Sequence, residues 1–317
     1  MSENGKTSVL CVVGPTASGK SALAMRLAKA LDGEIVSMDS MQIYRGMDVG
    51  TAKPSQAEQA EVRHHMLDVV SPDEPFTVSQ YAQMAEPILH DIRRRGKKPL
   101  LVGGTGFYLR AIADGLALGG AKGDETIRSR LEEHAAQPDG KLALHERLQM
   151  IDPETAARLH ENDVRRVIRA LEVYELTGKP FSRQEQPAVE RPFRFCMLGA
   201  TMPREQLYGR INGRVDDMLK RGLLDEVRGL LTRGVAPGAQ SMQGIGYKEL
   251  LPVLLSGASL TEAVELLKRN TRHYAKRQWT WFRAEQRVQW LDMTDASSAD
   301  GALRIAEEFF AKEIEED

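Results

Sequence analysis

Three short segments of this 317-residue sequence combine polar side chains with glycine or turn residues in patterns that could do chemistry. The first, GPTASGKS at residues 14–21, fits the pattern G-x-x-x-x-G-K-[ST] of a phosphate-binding loop. Backbone N–H groups in such a loop, together with the N-terminus of the following helix, attract an anion. Lys20 adds a positive charge, and the Ser21 hydroxyl can ligate Mg²⁺. The predicted phosphate site comprises Gly14, Pro15, Thr16, Ala17, Ser18, Gly19, Lys20 and Ser21.

The other two segments each follow a short apolar run. Asp39 stands two residues after the run at 34–37. Its carboxylate could accept a proton or a hydrogen bond from a substrate, or it could cap a turn, and its position leaves both roles open. Thr105 is the side-chain donor among the glycines of residues 103–106. It could bind a phosphate oxygen, cap the next helix, or do both.

The elements that must position these residues can be predicted from hydrophobic periodicity. Short apolar runs of the kind found in buried parallel strands alternate with segments of helical spacing, and Gly33 is placed to end the first helix in a left-handed cap. The predicted strands are residues 8–13, 34–37, 98–104, 193–200 and 287–292. This alternation predicts an α/β fold with a parallel sheet, in which ligands bind at the carboxyl ends of the strands. The three polar segments should therefore meet at one edge.

The pattern changes in the middle of the chain. Residues 116–192 have helical and loop character without a convincing strand, and linker-like segments stand at 117–124 and 179–192. We therefore predict a core formed by residues 1–115 and 193–317, interrupted by an inserted helical domain.

Composition gives weaker indications. A net charge of −2 means that any nucleic-acid surface must be a local patch. No apolar run approaches the length of a membrane span, and the first residues lack an apolar signal region. The two cysteines, Cys11 and Cys196, stand in apolar runs and are expected in the core, as in a reducing cytoplasm. The adjacent His64 and His65 would point to opposite faces of a strand, and we interpret them as structural rather than as a metal pair.

Two helical segments are locally basic. One carries Arg165, Arg166 and Arg169, with apolar residues spaced toward a core. The other, residues 266–283, carries Lys276 among five other cations, without an intervening acidic residue and with interleaved aromatics. Such runs are commonly solvated helix faces, but two of them in a nearly neutral chain favour a surface for a phosphate backbone.

Several segments, in order along nearly the whole chain, resemble the tRNA dimethylallyltransferase family in its short, bacterial-type form. They are GPTASGKS, SMDSMQIYRGMDVGTAKP, VRHHMLD, LVGGTGFYLRA, VRRVIRALEVYELTGKP, SMQGIGYKEL, TRHYAKRQWTWFR and VQWLD. The resemblance implies a phosphate-loop fold and transfer of a dimethylallyl group from its diphosphate to N6 of the adenosine 3′ of the anticodon. It also implies a requirement for Mg²⁺, release of pyrophosphate and a cytoplasmic enzyme; we take a monomer as the default state.

The resemblance also implies roles for individual residues. Asp39 would be the base for the adenine amine, Thr105 would lie near the reacting centre, and Arg214 would help to hold the diphosphate. The segment Asp39, Ser40, Met41 and Gln42 would contact tRNA, as would the basic helices. Residues 115–128 depart from the family pattern because a proline is replaced by glycine-rich sequence, and Arg128 in this segment is assigned as a further tRNA contact.

Two other functions fit parts of the sequence. A small-molecule or nucleotide kinase would also use the phosphate loop, although the apolar run at 98–104 ends in Gly-Gly rather than in the Asp typical of an ATPase. A nucleotide-regulated RNA-binding protein would explain the basic helices but would leave Asp39 and Thr105 without a task.

Overall fold

The computed structural model describes residues 6–115, 123–184 and 192–316, with side chains as far as residue 312. The chain divides into two compact units, Met1–Asp114 with Arg191–Asp317, and Gly115–Glu190. The predicted linkers at 117–124 and 179–192 fall largely outside the described residues.

The first unit is built on a parallel sheet with strand order β3-β2-β4-β1-β5-β6. The strands are β1 Thr7–Val13, β2 Gly33–Met38, β3 His64–His65, β4 Lys98–Gly103, β5 Phe193–Thr201 and β6 Val288–Asp292. The five predicted strands are all present, and the α/β prediction is confirmed. The prediction missed β3, because a two-residue strand carries no periodic signal.

Three neighbouring strands end at the same level of the sheet. Gly103, the last residue of β4, lies in register with Met38 at the end of β2 and with Val13 at the end of β1. The loops that follow these strands therefore start side by side at the carboxyl edge.

Helices cover both faces of this sheet. They are α1 Lys20–Ala30, α2 Gln56–Glu61, α3 Val78–Arg94, α4 Gly106–Ala113, α9 Arg204–Lys220, α10 Leu223–Thr232, α11 Leu251–Ser256, α12 Leu260–Arg283 and α13 Ser298–Glu316. Successive residues of β1 contribute to different cores: Cys11 packs in the larger cluster, which includes α3 and α4, and Leu10 packs with α1 and α13. Cys196 joins this second cluster. Both cysteines are buried, as predicted, and burial raises the pKa of the Cys196 thiol to about 11.

The predicted left-handed cap at Gly33 is wrong. Helix α1 ends at Ala30, and the left-handed residue is Asp32, with φ 52°. Gly33 already belongs to β2, where a Cβ atom would lie 2.5 Å from Leu100 Cδ1 and 2.8 Å from the Lys98 carbonyl oxygen. Glycine is required there by strand packing rather than by backbone conformation.

The second unit is helical across its described residues, without a strand. Its helices are α5 Glu125–Ala135, α6 Gly140–Ile151, α7 Pro153–Ala156 and α8 Val164–Thr177. They share a separate apolar core to which α8 contributes Val167, Ile168 and Leu171, the face predicted from the sequence.

Candidate active site

The loop between β1 and α1 has the backbone of an anion site. Gly14, Ala17 and Gly19 all have positive φ, at 143°, 64° and 96°. Gly14 also lies so close to β5 that a Cβ atom would stand 2.5 Å from the Ala200 carbonyl oxygen. Ala17 keeps its unusual conformation because it packs in a small apolar cluster with Ile211 and other residues. Backbone N–H groups gathered in this way form a concavity suited to an anion.

Positive charge is concentrated at this loop. Lys20 Nζ donates to the Pro15 carbonyl oxygen at 3.2 Å, and Arg214 Nη1 donates to Thr16 Oγ1 at 3.3 Å. Arg210, one turn before Arg214 on α9, reaches to within 3.8 Å of the Cβ position at Gly19. Sequence reasoning missed Arg210, although its i, i+4 spacing from Arg214 places both on one helix face.

The pKa values of these cations indicate mutual repulsion. Burial, followed by the charge of Arg214, lowers the pKa of Lys20 to about 8, and Asp39 opposes this shift. Burial and the charge of Arg210 likewise lower the pKa of Arg214. A bound anion would relieve this excess of positive charge, which the single nearby carboxylate balances only in part.

Asp39 stabilises its own turn, and Thr105 links that turn to the loop after β4. Asp39 Oδ1 accepts hydrogen bonds from the N–H groups of Met41 at 2.9 Å and Gln42 at 3.4 Å. The turn-capping role is therefore present, but across the described residues Oδ1 is the only Asp39 oxygen that accepts a hydrogen bond. Thr105 precedes α4 without capping it by its side chain; its hydroxyl instead accepts from the Ser40 N–H at 3.2 Å.

The side-chain amide of Gln42 makes its hydrogen bonds to other groups of the protein. Its Oε1 accepts from the Ser37 hydroxyl at 2.9 Å, and its Nε2 donates to the carbonyl oxygens of Thr51 and Ala52. Met41 is partly buried against the core beside Gly244. Both residues thus shape the segment that follows β2, and their predicted contact with tRNA stays a prediction.

A carboxylate from another element fixes the next part of this segment. Glu226 on α10 accepts hydrogen bonds from three consecutive N–H groups, those of residues 48–50, at 2.7–2.9 Å, and from the Tyr247 hydroxyl at 2.6 Å. The buried Lys53 pairs with Asp48 and Asp68. The segment is therefore held in one conformation by groups distant in sequence.

These elements enclose a cavity of about 410 Å³ within the first unit. Lys20, Ser21 and Asp39 all line this cavity. Other lining residues are Thr16, Ser37, Gln42, Thr51, Gly103 and Arg214. A ligand here would have an anion site and a carboxylate within one enclosure.

The predicted basic residues of the second unit, Arg128 on α5 and three arginines on α8, divide into two kinds. Arg128 and Arg169 both pair with Glu172, whose side chain is fully buried, at 3.1 and 2.6 Å. Burial raises the pKa of Glu172, but the Arg169 and Asp124 hydrogen bonds and both guanidinium charges outweigh it and keep the pKa below its usual value. Arg165 and Arg166 are exposed on the helix surface.

Helix α12 presents a basic and aromatic face. Lys276, His273, Arg277, Thr280 and Trp281 line a shallow open pocket. Trp281 packs so closely on Gly106 that a Cβ atom there would lie 2.3 Å from its ring. The next residue, Phe107, is 52% exposed. Sequence reasoning missed Phe107, because periodicity alone does not separate an exposed aromatic from a core residue.

Comparison with known proteins agrees with this geometry. Residues 42–285 match a family model described as IPP transferase. The tRNA dimethylallyltransferases of Pelotomaculum thermopropionicum and Geobacter sulfurreducens are both 48% identical, and the matches cover 94% and 96% of this chain and 95% and 97% of the relatives.

Solved structures give the same result. The full-length tRNA isopentenylpyrophosphate transferase of Bacillus halodurans matches with a TM-score of 0.71 and 44% identity, over 98% of each chain. A eukaryotic dimethylallyltransferase acting on tRNA matches with a TM-score of 0.81 and 31% identity, over 96% of this chain and 80% of that one.

The chain belongs to the tRNA dimethylallyltransferase family.

Membership in this family of prenyltransferases decides against the kinase and the non-catalytic RNA-binding alternatives. In the described part of the chain, no helix is both long and apolar enough to span a membrane.

The lowered pKa of Lys20 predicts how anion binding should depend on pH. A bound anion favours the charged ammonium, so the pKa is higher in the complex than in the free protein. Sulfate, whose charge is constant in this range, should bind with steady affinity up to about pH 8, and its affinity should then fall by up to about tenfold per pH unit. Titrations at fixed ionic strength between about pH 7 and about pH 9.5 would measure this.

Lys20→Arg is the matched control, because a guanidinium stays charged throughout this range. Its sulfate affinity should remain level. A wild-type affinity that does not change above pH 8 would contradict the role of Lys20.

Proposed function

We propose that the protein transfers the dimethylallyl group of dimethylallyl diphosphate to N6 of the adenosine that is 3′-adjacent to the anticodon of tRNA, with release of pyrophosphate. The observation that carries the proposal is the cavity in which Asp39 shares a wall with Lys20 and Ser21. Family membership supplies the reaction class, since the relatives are named tRNA dimethylallyltransferases.

The loop at residues 14–21 would hold the diphosphate of the donor. When the C1–O bond of the donor breaks, negative charge grows on the departing pyrophosphate. Lys20, Arg214 and the backbone N–H groups are fixed before that charge appears, which favours the transition state over the ground state.

Mg²⁺ would be held at this site by Ser21 and by the diphosphate itself. The Ser21 hydroxyl offers an oxygen donor in the cavity, whereas the described residues contain no group of three His, Cys, Asp or Glu side chains that could hold a metal by themselves. Mg²⁺ in phosphate sites is commonly held by one or two protein oxygens with waters and phosphate oxygens. It would supply further charge neutralisation for the leaving pyrophosphate.

Asp39 would act on the acceptor. The adenine N6 amine is a weak nucleophile, and as its nitrogen forms the new bond to C1 it must lose a proton. Asp39 Oδ1 is held by two backbone N–H groups, so the orientation of the carboxylate is fixed and Oδ2 can receive that proton. Thr105, which accepts from the Ser40 N–H, keeps the acceptor loop beside β4.

The tRNA would bind through exposed basic side chains on each unit, Arg165 and Arg166 on α8 and Lys276 on α12. Arg128 and Arg169 would chiefly neutralise Glu172. The target base must leave its stack to reach an enclosed cavity, as in other base-modifying enzymes. Because the substrate would be tRNA, we infer a cytoplasmic enzyme, and the monomer stays a prediction.

A direct assay tests the function. The purified protein is mixed with dimethylallyl diphosphate, Mg²⁺ and an anticodon stem-loop RNA, and N6-dimethylallyladenosine is measured by mass spectrometry of the digested RNA. The product should form once per RNA, at the adenosine next to the anticodon. ATP in place of the donor should give no modified RNA; tRNA-independent ATP hydrolysis without prenylation would contradict the proposal.

Asp39→Asn tests the role of Asp39 as a proton acceptor separately from its role in stabilising the turn. The amide oxygen can still accept the two N–H groups, but the side chain cannot accept a proton at neutral pH. The single-turnover rate at saturating substrates should therefore fall by roughly 10²–10⁴-fold, while the Kd of the RNA and of the donor change little. Asp295→Asn is the control, because Asp295 Oδ1 also accepts a backbone N–H in a turn, that of Ser297 at 2.8 Å, but does not line the cavity. A near-normal rate for Asp39→Asn would remove its role as base.

Lys276→Ala and Phe107→Ala distinguish two kinds of RNA contact. Loss of a phosphate contact at Lys276 should weaken RNA binding and reduce the slope of log K against log salt by about one. Loss of a stacked base at Phe107 should weaken binding without changing that slope. Measurement of Kd at four salt concentrations is sufficient. If neither substitution changed the Kd of the RNA, this face of α12 would lie outside the interface.

A further inference from the structure

Gln278 is a buried amide in the C-terminal part of α12, with a relative exposure of 6%. Both ends of its side chain bind backbone from other elements. Oε1 accepts a hydrogen bond from the Thr16 N–H at 2.9 Å, and Nε2 donates to the Gly104 carbonyl oxygen at 3.0 Å. One side chain therefore joins two loops at the carboxyl edge of the sheet.

One of these loops is the proposed donor site, and the other is bonded to the segment that carries Asp39 at the proposed acceptor site. Thr16 belongs to the loop 14–21, and its hydroxyl accepts from Arg214. Gly104 stands directly before Thr105, whose hydroxyl accepts from the Ser40 N–H next to Asp39. Gln278 thus lies between the proposed donor site and the loop that orients the proposed acceptor site.

The residues around Gln278 accommodate its side-chain amide. A Cβ atom on Gly104 would lie 2.1 Å from Gln278 Nε2, so the close approach of the amide requires glycine there. Neighbouring buried positions on the same helix face, Ala275 and Phe282, are apolar. A polar side chain at this position is costly to bury unless both of its ends are hydrogen-bonded, as they are here.

We propose that Gln278 is a positioning residue that sets the distance between the loop 14–21 and, through Gly104 and Thr105, the segment that carries Asp39. The inference rests on the proposed function, because it places the reacting carbon at the loop 14–21 and the reacting amine at Asp39. Since a displacement of about 1 Å between reacting groups can cost roughly 10²-fold in rate, the loss of this link should affect the chemical step more than binding.

Gln278→Met tests this role. Methionine has a similar length and fills the space but makes neither hydrogen bond. At saturating dimethylallyl diphosphate and anticodon stem-loop RNA, the single-turnover rate should fall roughly 10²-fold, with the Kd of each substrate within a few-fold of wild type. Gly104→Ala is a second route to the same result, since it displaces the amide and leaves Gln278 in the sequence.

Gln240→Met is the matched control. Gln240 makes the same kind of two-ended bridge, accepting from the Phe76 N–H at 3.1 Å and donating to the Phe76 carbonyl oxygen at 2.8 Å, away from the cavity lining. It should lower the thermal midpoint of unfolding but leave the rate unchanged. The inference would be overturned if Gln278→Met and Gln240→Met had the same single-turnover rate, whether both rates were normal or both were reduced.

The two proposals fail in different ways. If the wild-type protein forms no prenylated RNA, the proposed function fails. If the wild type forms the product and both Gln278→Met and Gly104→Ala retain its rate, only the positioning role of Gln278 is overturned.

Discussion

The alignment of three strand ends is the constraint on which the rest of this structure depends. Because β1, β2 and β4 are parallel neighbours and stop in register, the loops that follow them must start within a few ångströms of one another. Gly103 allows this closeness: a Cβ atom there would lie 2.0 Å from the Met38 carbonyl oxygen. The anion loop and the carboxylate of Asp39 are brought together by sheet geometry before any side chain is considered.

The charged side chains at this edge determine which ligands it can bind. Three cations, Lys20, Arg210 and Arg214, stand around a backbone that already favours anions, and the nearby Asp39 balances them only in part. Such an arrangement is unfavourable in the free protein and favourable once a phosphoryl group is bound.

Helix α12 connects this edge to the molecular surface. Its inward face supplies Gln278, which binds both loops, and its outward face carries Lys276 and the pocket beside Trp281. The same 24-residue helix thus binds the loops at this edge and contributes to a surface suited to RNA. The segment after β2 is held from a different side, by Glu226 and Tyr247, so the cavity is braced by elements from the C-terminal half of the chain.

The sequence by itself determined five of the six strands, most of the helices, the loop between β1 and α1 and the position of Asp39 after β2, because these depend on hydrophobic periodicity and on residues close together in the chain. It also carried enough motifs for the family to be identified. Only the tertiary structure decided that Gln278 binds Thr16 across 262 residues and that Glu226 binds Val49 across 177. It likewise decided that Arg128 and Arg169 neutralise a buried glutamate. Hydrogen bonds and ion pairs of this kind leave no periodic signal, since their partners meet only after the sheet and helices have packed.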